Sequence, residues 1–308
     1  METPILFLVF NRPDTTQRVF DEIRNAKPKY LFIAADGPRI NNDNDRLRCG
    51  EVRSIVKNID WDCEVKTLFR EENLGCKLAI SSAITWFFDN VEMGIILEDD
   101  CLPNKSFFSF CSKLLLRYKN DNQVMMISGT HHLKNLEIHD DYFFSNHFQI
   151  WGWATWKRAW DLYDIEMKEW PILIKEGSFE DVYKDRKIYQ YYKDSFNHAY
   201  HNLVNTWDIQ WNYTCVLNKG LSITPKHNLV TNIGVQGTHT TTKTIEDQNL
   251  FRKTQEIELS DMLLEKIEAN HYLDRVQFNN FYKANMLERL YSNLLYRIRL
   301  LKRKLNNN

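Results

Sequence analysis

Gly94-Ile95-Ile96-Leu97-Glu98-Asp99-Asp100-Cys101-Leu102-Pro103 is the stretch from which the rest of the chain can be read. An apolar run of strand type stops in three consecutive acids. A buried strand that ends this way puts its carboxylates at the carboxyl edge of a sheet, where open α/β sheets bind their ligands. Carboxylates gathered at one point repel each other unless a cation sits among them. Hard oxygen donors favour Mg²⁺ or Mn²⁺, ions commonly shared with substrate phosphates. The stretch therefore points to a metal–diphosphate site, with a solvated turn after a strand as the plainer alternative.

Upstream, strand and helix signals alternate. Ile5–Phe10 reads as a strand and Thr15–Asn25 as a helix with Asp14 as its cap. Tyr30–Ala35 is a second strand, ending at Asp36-Gly37-Pro38. Val52, Ile55, Val56 and Ile59 recur at helical spacing within Leu47–Ile59. Cys63–Phe69 reads as a strand, Leu74–Asn90 as a helix, Gly94–Leu97 as a strand, Ser106–Tyr118 as a helix and Val124–Ser128 as a strand. This β-α-β alternation predicts an α/β fold, a mostly parallel Rossmann-like sheet flanked by helices. From Asn146 the aromatic density rises through Phe148-Gln149-Ile150-Trp151-Gly152-Trp153-Ala154-Thr155-Trp156, and mixed helical segments follow. The expected organisation is a domain over residues 1–270, with a nucleotide-sugar half (1–130) and an acceptor half (131–270), then a C-terminal helix over 271–308.

The composition fits a 308-residue globular chain with material for a full core. A net charge of −1 gives no reason to expect nucleic acid as a partner. Nine Trp and fourteen Tyr suit broad aromatic surfaces of the kind sugars stack on, and also large cores. Six cysteines lack CxxC or zinc-finger spacing, so they read as reduced thiols of a cytoplasmic protein. Pro4 to Phe10 is too short for a signal peptide, and no stretch is long and apolar enough to span a bilayer. At the C-terminus, Phe278, Phe281, Leu287, Leu290, Leu294 and Ile298 recur at helical spacing beside Arg297, Arg299, Lys302, Arg303 and Lys304. Such a basic amphipathic helix can lie on the inner membrane surface, or pack on the domain or a second subunit.

Phe10-Asn11-Arg12-Pro13, Ala35-Asp36-Gly37-Pro38, Asn73-Leu74-Gly75, Leu97-Glu98-Asp99-Asp100, Trp151-Gly152-Trp153, Trp207-Asp208 and the Gly234–His239 loop occur in an order that resembles a GT-A-fold glycosyltransferase. The resemblance is to the inverting N-acetylglucosaminyltransferase I type and bacterial relatives that build surface polysaccharides. It covers roughly the first four-fifths of the chain. It implies a metal-dependent transfer from a nucleotide-diphosphate sugar, most simply a UDP-sugar, to a glycan or lipid-linked oligosaccharide. Carried over, Asp100 binds Mn²⁺ (or Mg²⁺), which acts as a Lewis acid on the leaving diphosphate. Glu98 and Asp99 face the sugar nucleotide, Arg12 the diphosphate, and Asp36 accepts from the base. Trp153 becomes a stacking platform for the donor sugar, and His239 a contact to metal or diphosphate.

Two further residues follow from chemistry. Inverting transfer needs a carboxylate opposite the leaving group to take the acceptor proton, and Asp208, flanked by Trp207 and Trp211, is the candidate base. Lys77, in the first turn after Asn73-Leu74-Gly75, could reach a phosphate. His131-His132 lack acids at zinc-site spacing and read as loop residues with an acceptor role. Two rival readings remain. One is a sugar nucleotidyltransferase, which would normally carry a Gly-rich basic loop where this chain has Asn11-Arg12-Pro13-Asp14. The other is a non-catalytic, membrane-attached assembly protein of the same fold.

Overall fold

The computed structural model describes residues 1–133, 136–177, 179–234, 251–260, 264 and 266–281. β1 (Ile5–Val9) leads through α1 (Pro13–Ala26) to β2 (Tyr30–Ala35), α2 (Asp43–Ile55), β3 (Glu64–Phe69), α3 (Gly75–Phe88), β4 (Met93–Glu98) and, past the acidic turn, β5 (Cys101–Pro103). Next come α4 (Lys105–Arg117), β6 (Val124–Ser128), β7 (Tyr142–Ser145), β8 (Trp153–Trp156) and α5 (Lys157–Trp160). The described chain finishes with α6 (Trp170–Glu176), α7 (Arg186–Tyr200), α8 (Asp208–Leu217), β9 (Leu221–Pro225), β10 (Val230–Asn232) and α9 (His271–Phe281).

Eight strands form one sheet in the order β3-β2-β1-β4-β8-β6-β9-β7, and β5 pairs with β10 in a separate ribbon. The fold is α/β: a large, mostly parallel, Rossmann-like sheet flanked by helices. β3, β2, β1 and β4 are mutually parallel, while β8 runs antiparallel to both β4 and β6. The chain winds outward from β1 to β3, then crosses back to set β4 on the other flank of β1. The carboxyl ends of β1 and β4 therefore flank a topological switch point, where a crevice opens.

Strand periodicity assigns the two faces. Ile5, Phe7 and Val9 pack with Val19, Phe20 and Ile23 of α1 and with Phe107 and Leu114 of α4. Leu6 and Leu8 pack on the other face with Ile84, Phe87 and Phe88 of α3 and with the tryptophans around α8. With both faces covered, the central strands must be apolar throughout, and all five residues of β1 are buried.

Two local outcomes differ from the sequence expectation. α2 begins at Asp43, four residues before Leu47, because the Asn42 side chain accepts the Asp45 N–H and caps the helix there. Of the Trp151-Gly152-Trp153 run, expected to line a sugar site, Trp153 starts a sheet strand instead. β8 inserts between β4 and β6, and its four residues are buried. α9 lies at the start of the expected C-terminal segment; residues 282–308, with their basic cluster, lie outside the described residues. The apolar side of α9 packs on the domain through Leu273 and Phe278, and its Asp274 accepts from Ser145 Oγ and the Asn146 N–H. Among the described residues no helix is long and apolar enough to cross a membrane.

Candidate functional site

The register Phe7↔Leu97 and Leu8↔Glu98 brings the end of β1 level with the acidic turn. Asp99 Oδ2 accepts the Phe10 N–H at 3.2 Å. Arg12 spans both aspartates: Nη2 donates to Asp99 Oδ1, and Nη1 to Asp100 Oδ2 at 2.7 Å. Burial works against the Arg12 charge, but the two carboxylates outweigh it and raise its pKa. Burial likewise raises Asp99, with Arg12 opposing. Burial, with Asp100, Asp99 and Asp208 adding like charge, pushes Glu98 up to about 8; Arg12 opposes this rise but does not prevent it.

The cation that an acidic triplet demands is thus present as a guanidinium. This bears on the expected metal. Asp100 gives one oxygen to Arg12, and a Cβ on Gly234 would collide with that oxygen, so the backbone of Gly234 lies directly over it. Asp100 is not on the wall of the adjoining cavity, whereas Arg12, Glu98 and Asp99 are. Among the described residues no group of three or more His, Cys, Asp or Glu could hold a metal ion. Arg12 thus supplies a positive charge among these acids and occupies Asp100 Oδ2.

The cavity has a volume of about 350 Å³ and lies across the carboxyl ends of β1, β2 and β4 and the loop after β3. Its floor is apolar, from Leu8, Val9, Ala34, Ala79 and Ile80, and its rim carries Arg12, Arg39 and Arg70. Arg39 is paired with Asp45 and lies over the Phe10 ring at 5.8 Å; Arg70 donates to Ser82 Oγ at 2.9 Å. An apolar slot with arginines at one lip suits a flat aromatic ring joined to phosphates. Arg39 and Arg70 were not picked out from sequence. Their signal was position: each lies just beyond the end of a parallel strand.

Asp36 lines this cavity, but its carboxylate is committed. Oδ1 accepts the Gly37 and Leu74 N–H groups, and Oδ2 the Gly75 N–H and Asn73 Nδ2. With two donors on each oxygen, Asp36 ties the loop after β2 to the start of α3. This corrects the expectation that it reads a base. Lys77 stands off the cavity wall, its Nζ given to Asn202 Oδ1 at 2.9 Å. Cys76, which is on the wall, is pushed up to about 12 by burial and by Glu98 and Asp208, so it is an inert thiol.

A second cavity, about 300 Å³, carries Asp208. Asp208 is the first residue of α8, where free backbone N–H groups face a carboxylate, and Thr206 Oγ1 also donates to it. Burial still dominates and raises its pKa. Its charge also adds, as the smallest of several causes, to the raised pKa of Glu98. Aromatic side chains, Phe148, Trp151, Tyr191 and Phe281 among them, line the rest.

Trp153 is not among them. Only 1% exposed, it stacks on Trp207 at 5.6 Å and packs against Trp160 and Trp211, so it cannot be a sugar platform. Gly152, at φ +64°, turns the chain so that Trp151 faces the groove while Trp153 enters the sheet. His131 and His132 are also buried. Burial and Arg252 push His131 down to about 3 and His132 well below its usual value, so both are neutral and neither is a loop residue open to a ligand. His239 lies outside the described residues.

No protein-family model matches the chain, and no curated protein matches it. Solved structures do. An apo UDP-glucose pyrophosphorylase is 11% identical, with 73% of this chain and 90% of that one covered, at a TM-score of 0.37. A 4-diphosphocytidyl-2C-methyl-D-erythritol synthase from Anaerococcus prevotii is 10% identical, covering 53% and 74%, at 0.34. HddC from Yersinia pseudotuberculosis is 12% identical, covering 51% and 77%, at 0.31. Likeness this slight leaves the chemistry to be read from the chain's own residues.

Proposed function

We propose that the chain is a glycosyltransferase that takes a sugar from a nucleotide-diphosphate sugar and delivers it to a glycan or glycolipid hydroxyl. The observation that carries this is a pair of unlike cavities, one lined by Glu98 and the other by Asp208. One is arginine-rimmed, at the switch point of the sheet, and suits a nucleotide diphosphate. The other is aromatic, carries the half-buried Asp208 carboxylate, and suits a sugar ring.

In this reading Arg12 holds the diphosphate and takes up charge as it leaves. Asp208 accepts the proton of the acceptor hydroxyl while that oxygen bonds to the anomeric carbon. The bond from the anomeric carbon to the diphosphate breaks, and its electron pair leaves with the nucleoside diphosphate. Glu98, which can carry a proton near neutral pH, lies where it can hydrogen-bond the donor sugar.

The second reading is sugar nucleotidyl transfer, and the names of the solved structures above stand on its side. Against it, only Phe10, Asn11 and Arg12 separate β1 from α1, and the Phe10 N–H is bound to Asp99. That leaves no glycine loop to wrap a triphosphate. Product analysis separates the two. Release of nucleoside diphosphate from a UDP-sugar panel, lost in Asp208→Asn, supports glycosyl transfer. Release of pyrophosphate from a nucleoside triphosphate and a sugar 1-phosphate overturns it in favour of the second reading.

A further inference from the structure

Arg252, His132 and Gln149 form a chain of hydrogen bonds that ends on the wall of the aromatic groove. Arg252 Nη1 lies 2.9 Å from His132 Nδ1, and His132 Nε2 lies 2.6 Å from Gln149 Oε1. A guanidinium can only donate, so Nδ1 must accept. His132 is buried beside that cation and stays neutral, so its single ring proton sits on Nε2. Nε2 therefore donates to Gln149, and the atom it meets must be the amide oxygen. This fixes the amide: Nε2 of Gln149 is a dedicated donor. It is buried and has no hydrogen-bond partner among the described residues, on a side chain 6% exposed.

The surroundings hold the relay rigid. Phe281 packs on the His132 ring at 3.7 Å, Trp151 meets its edge at 5.8 Å, and Asn280 Nδ2 donates to the His132 carbonyl. Gln149 and Asp208 line the same groove. Among its described lining residues there is no lysine or arginine, so the groove is unsuited to a phosphate or carboxylate ligand. Aromatic faces, the amides of Gln149 and Asn212, the Ser195 hydroxyl and one carboxylate together suit a neutral ring with hydroxyls on its edge.

We infer that the groove beside Asp208 is a binding site for a neutral sugar, and that Gln149 is its recognition residue. A shift of the groove wall on binding brings the Nε2 of Gln149, enclosed in the free protein, to a hydroxyl oxygen of that sugar, while Trp151 and its neighbours meet the apolar ring face. His132 and Arg252 are positioning residues that keep the amide in this orientation. The inference rests on the glycosyl-transfer reading, with this sugar as the acceptor.

The test is saturation-transfer NMR of the full chain with a panel of neutral methyl glycosides, beside calorimetric UDP binding. At least one glycoside is expected to bind, and Gln149→Ala to weaken it about tenfold or more, the usual size of one lost hydrogen bond to a buried donor. UDP affinity should be unchanged, which shows the variant is folded. The ¹⁵N spectrum is expected to show His132 protonated on Nε2 and bare at Nδ1, and Arg252→Gln to weaken glycoside binding less than Gln149→Ala does. Equal glycoside binding by wild type and Gln149→Ala would overturn the assignment, leaving Nε2 with a resident water. So would the opposite His132 tautomer, or no binding of any glycoside. Glycoside binding without UDP binding would remove the donor reading and leave the groove assignment standing.

Discussion

The Arg12 guanidinium donates to Asp100 at 2.7 Å and to Asp99 in the same gesture, joining the loop after β1 to the turn after β4. One residue thus holds the crevice in shape and presents positive charge to it. The two roles separate by substitution. Arg12→Ala leaves Asp99 buried without its counter-charge. It should destabilise the fold by about 3 kcal/mol, the low end for breaking a buried pair, because Arg12 keeps a quarter of its side chain exposed. Arg12→Lys keeps the charge but cannot fork to both acids, so it should fold better than Arg12→Ala and still bind diphosphate weakly. Chemical denaturation beside nucleotide titration measures both.

Glu98 gives a pH prediction whose sign can be worked out. Its folded pKa, about 8, lies above the ordinary glutamate value of roughly 4.3. Between those values the folded state holds a proton that the unfolded state has lost, so stability falls as pH rises through this window. Glu98→Gln removes the titration. It should flatten the pH dependence of Tm and leave the variant more stable than wild type at mildly alkaline pH, at a cost in activity. Parallel Tm curves for the two proteins would show that Glu98 titrates normally.

Asp208→Asn should cut sugar transfer by about 10²–10⁴-fold, the range for losing a general base, with nucleotide affinity kept. Because burial raises the Asp208 pKa, the acid limb of the wild-type rate profile should fall at a higher pH than the roughly 3.9 of a free aspartate. A limb at or below that value would contradict the assignment.

Asp36→Ala tests whether this residue reads a base or holds a loop. Losing a carboxylate that accepts four donors should cost about 2–3 kcal/mol of stability. Affinity should fall alike for UDP and GDP. A change in preference between the two would restore the base-reading role.

Much of this was legible in the sequence because it depends on period and punctuation. The apolar runs of β1, β2 and β4, the helix between each pair and the acids at the end of β4 fix the switch-point crevice. The sequence also placed Arg12 and Asp208, which stand where an element starts or stops. What it could not give was the direction in which alternating side chains point. Trp151 and Trp153 look equivalent in one dimension, yet a left-handed glycine sends one to the groove and the other into the sheet. Nor could it show how far an acid is already satisfied. Asp36 reads as a ligand until its four loop donors are placed. Nor does one dimension show that Arg12, 87 residues before Asp99 in the chain, reaches the acidic turn.

The most direct test of the central claim is calorimetric titration of UDP, GDP, CMP and ADP into wild type and Arg12→Lys, each with Mn²⁺ and with a chelator. The account predicts that one nucleoside diphosphate binds wild type tightly, that the chelator leaves most of this affinity, and that Arg12→Lys loses about tenfold or more, as for a forked contact reduced to a point charge. Binding that vanishes with the chelator would return the cation role to a metal on Asp100. No binding of any of the four to folded wild type would contradict the nucleotide-sugar site itself.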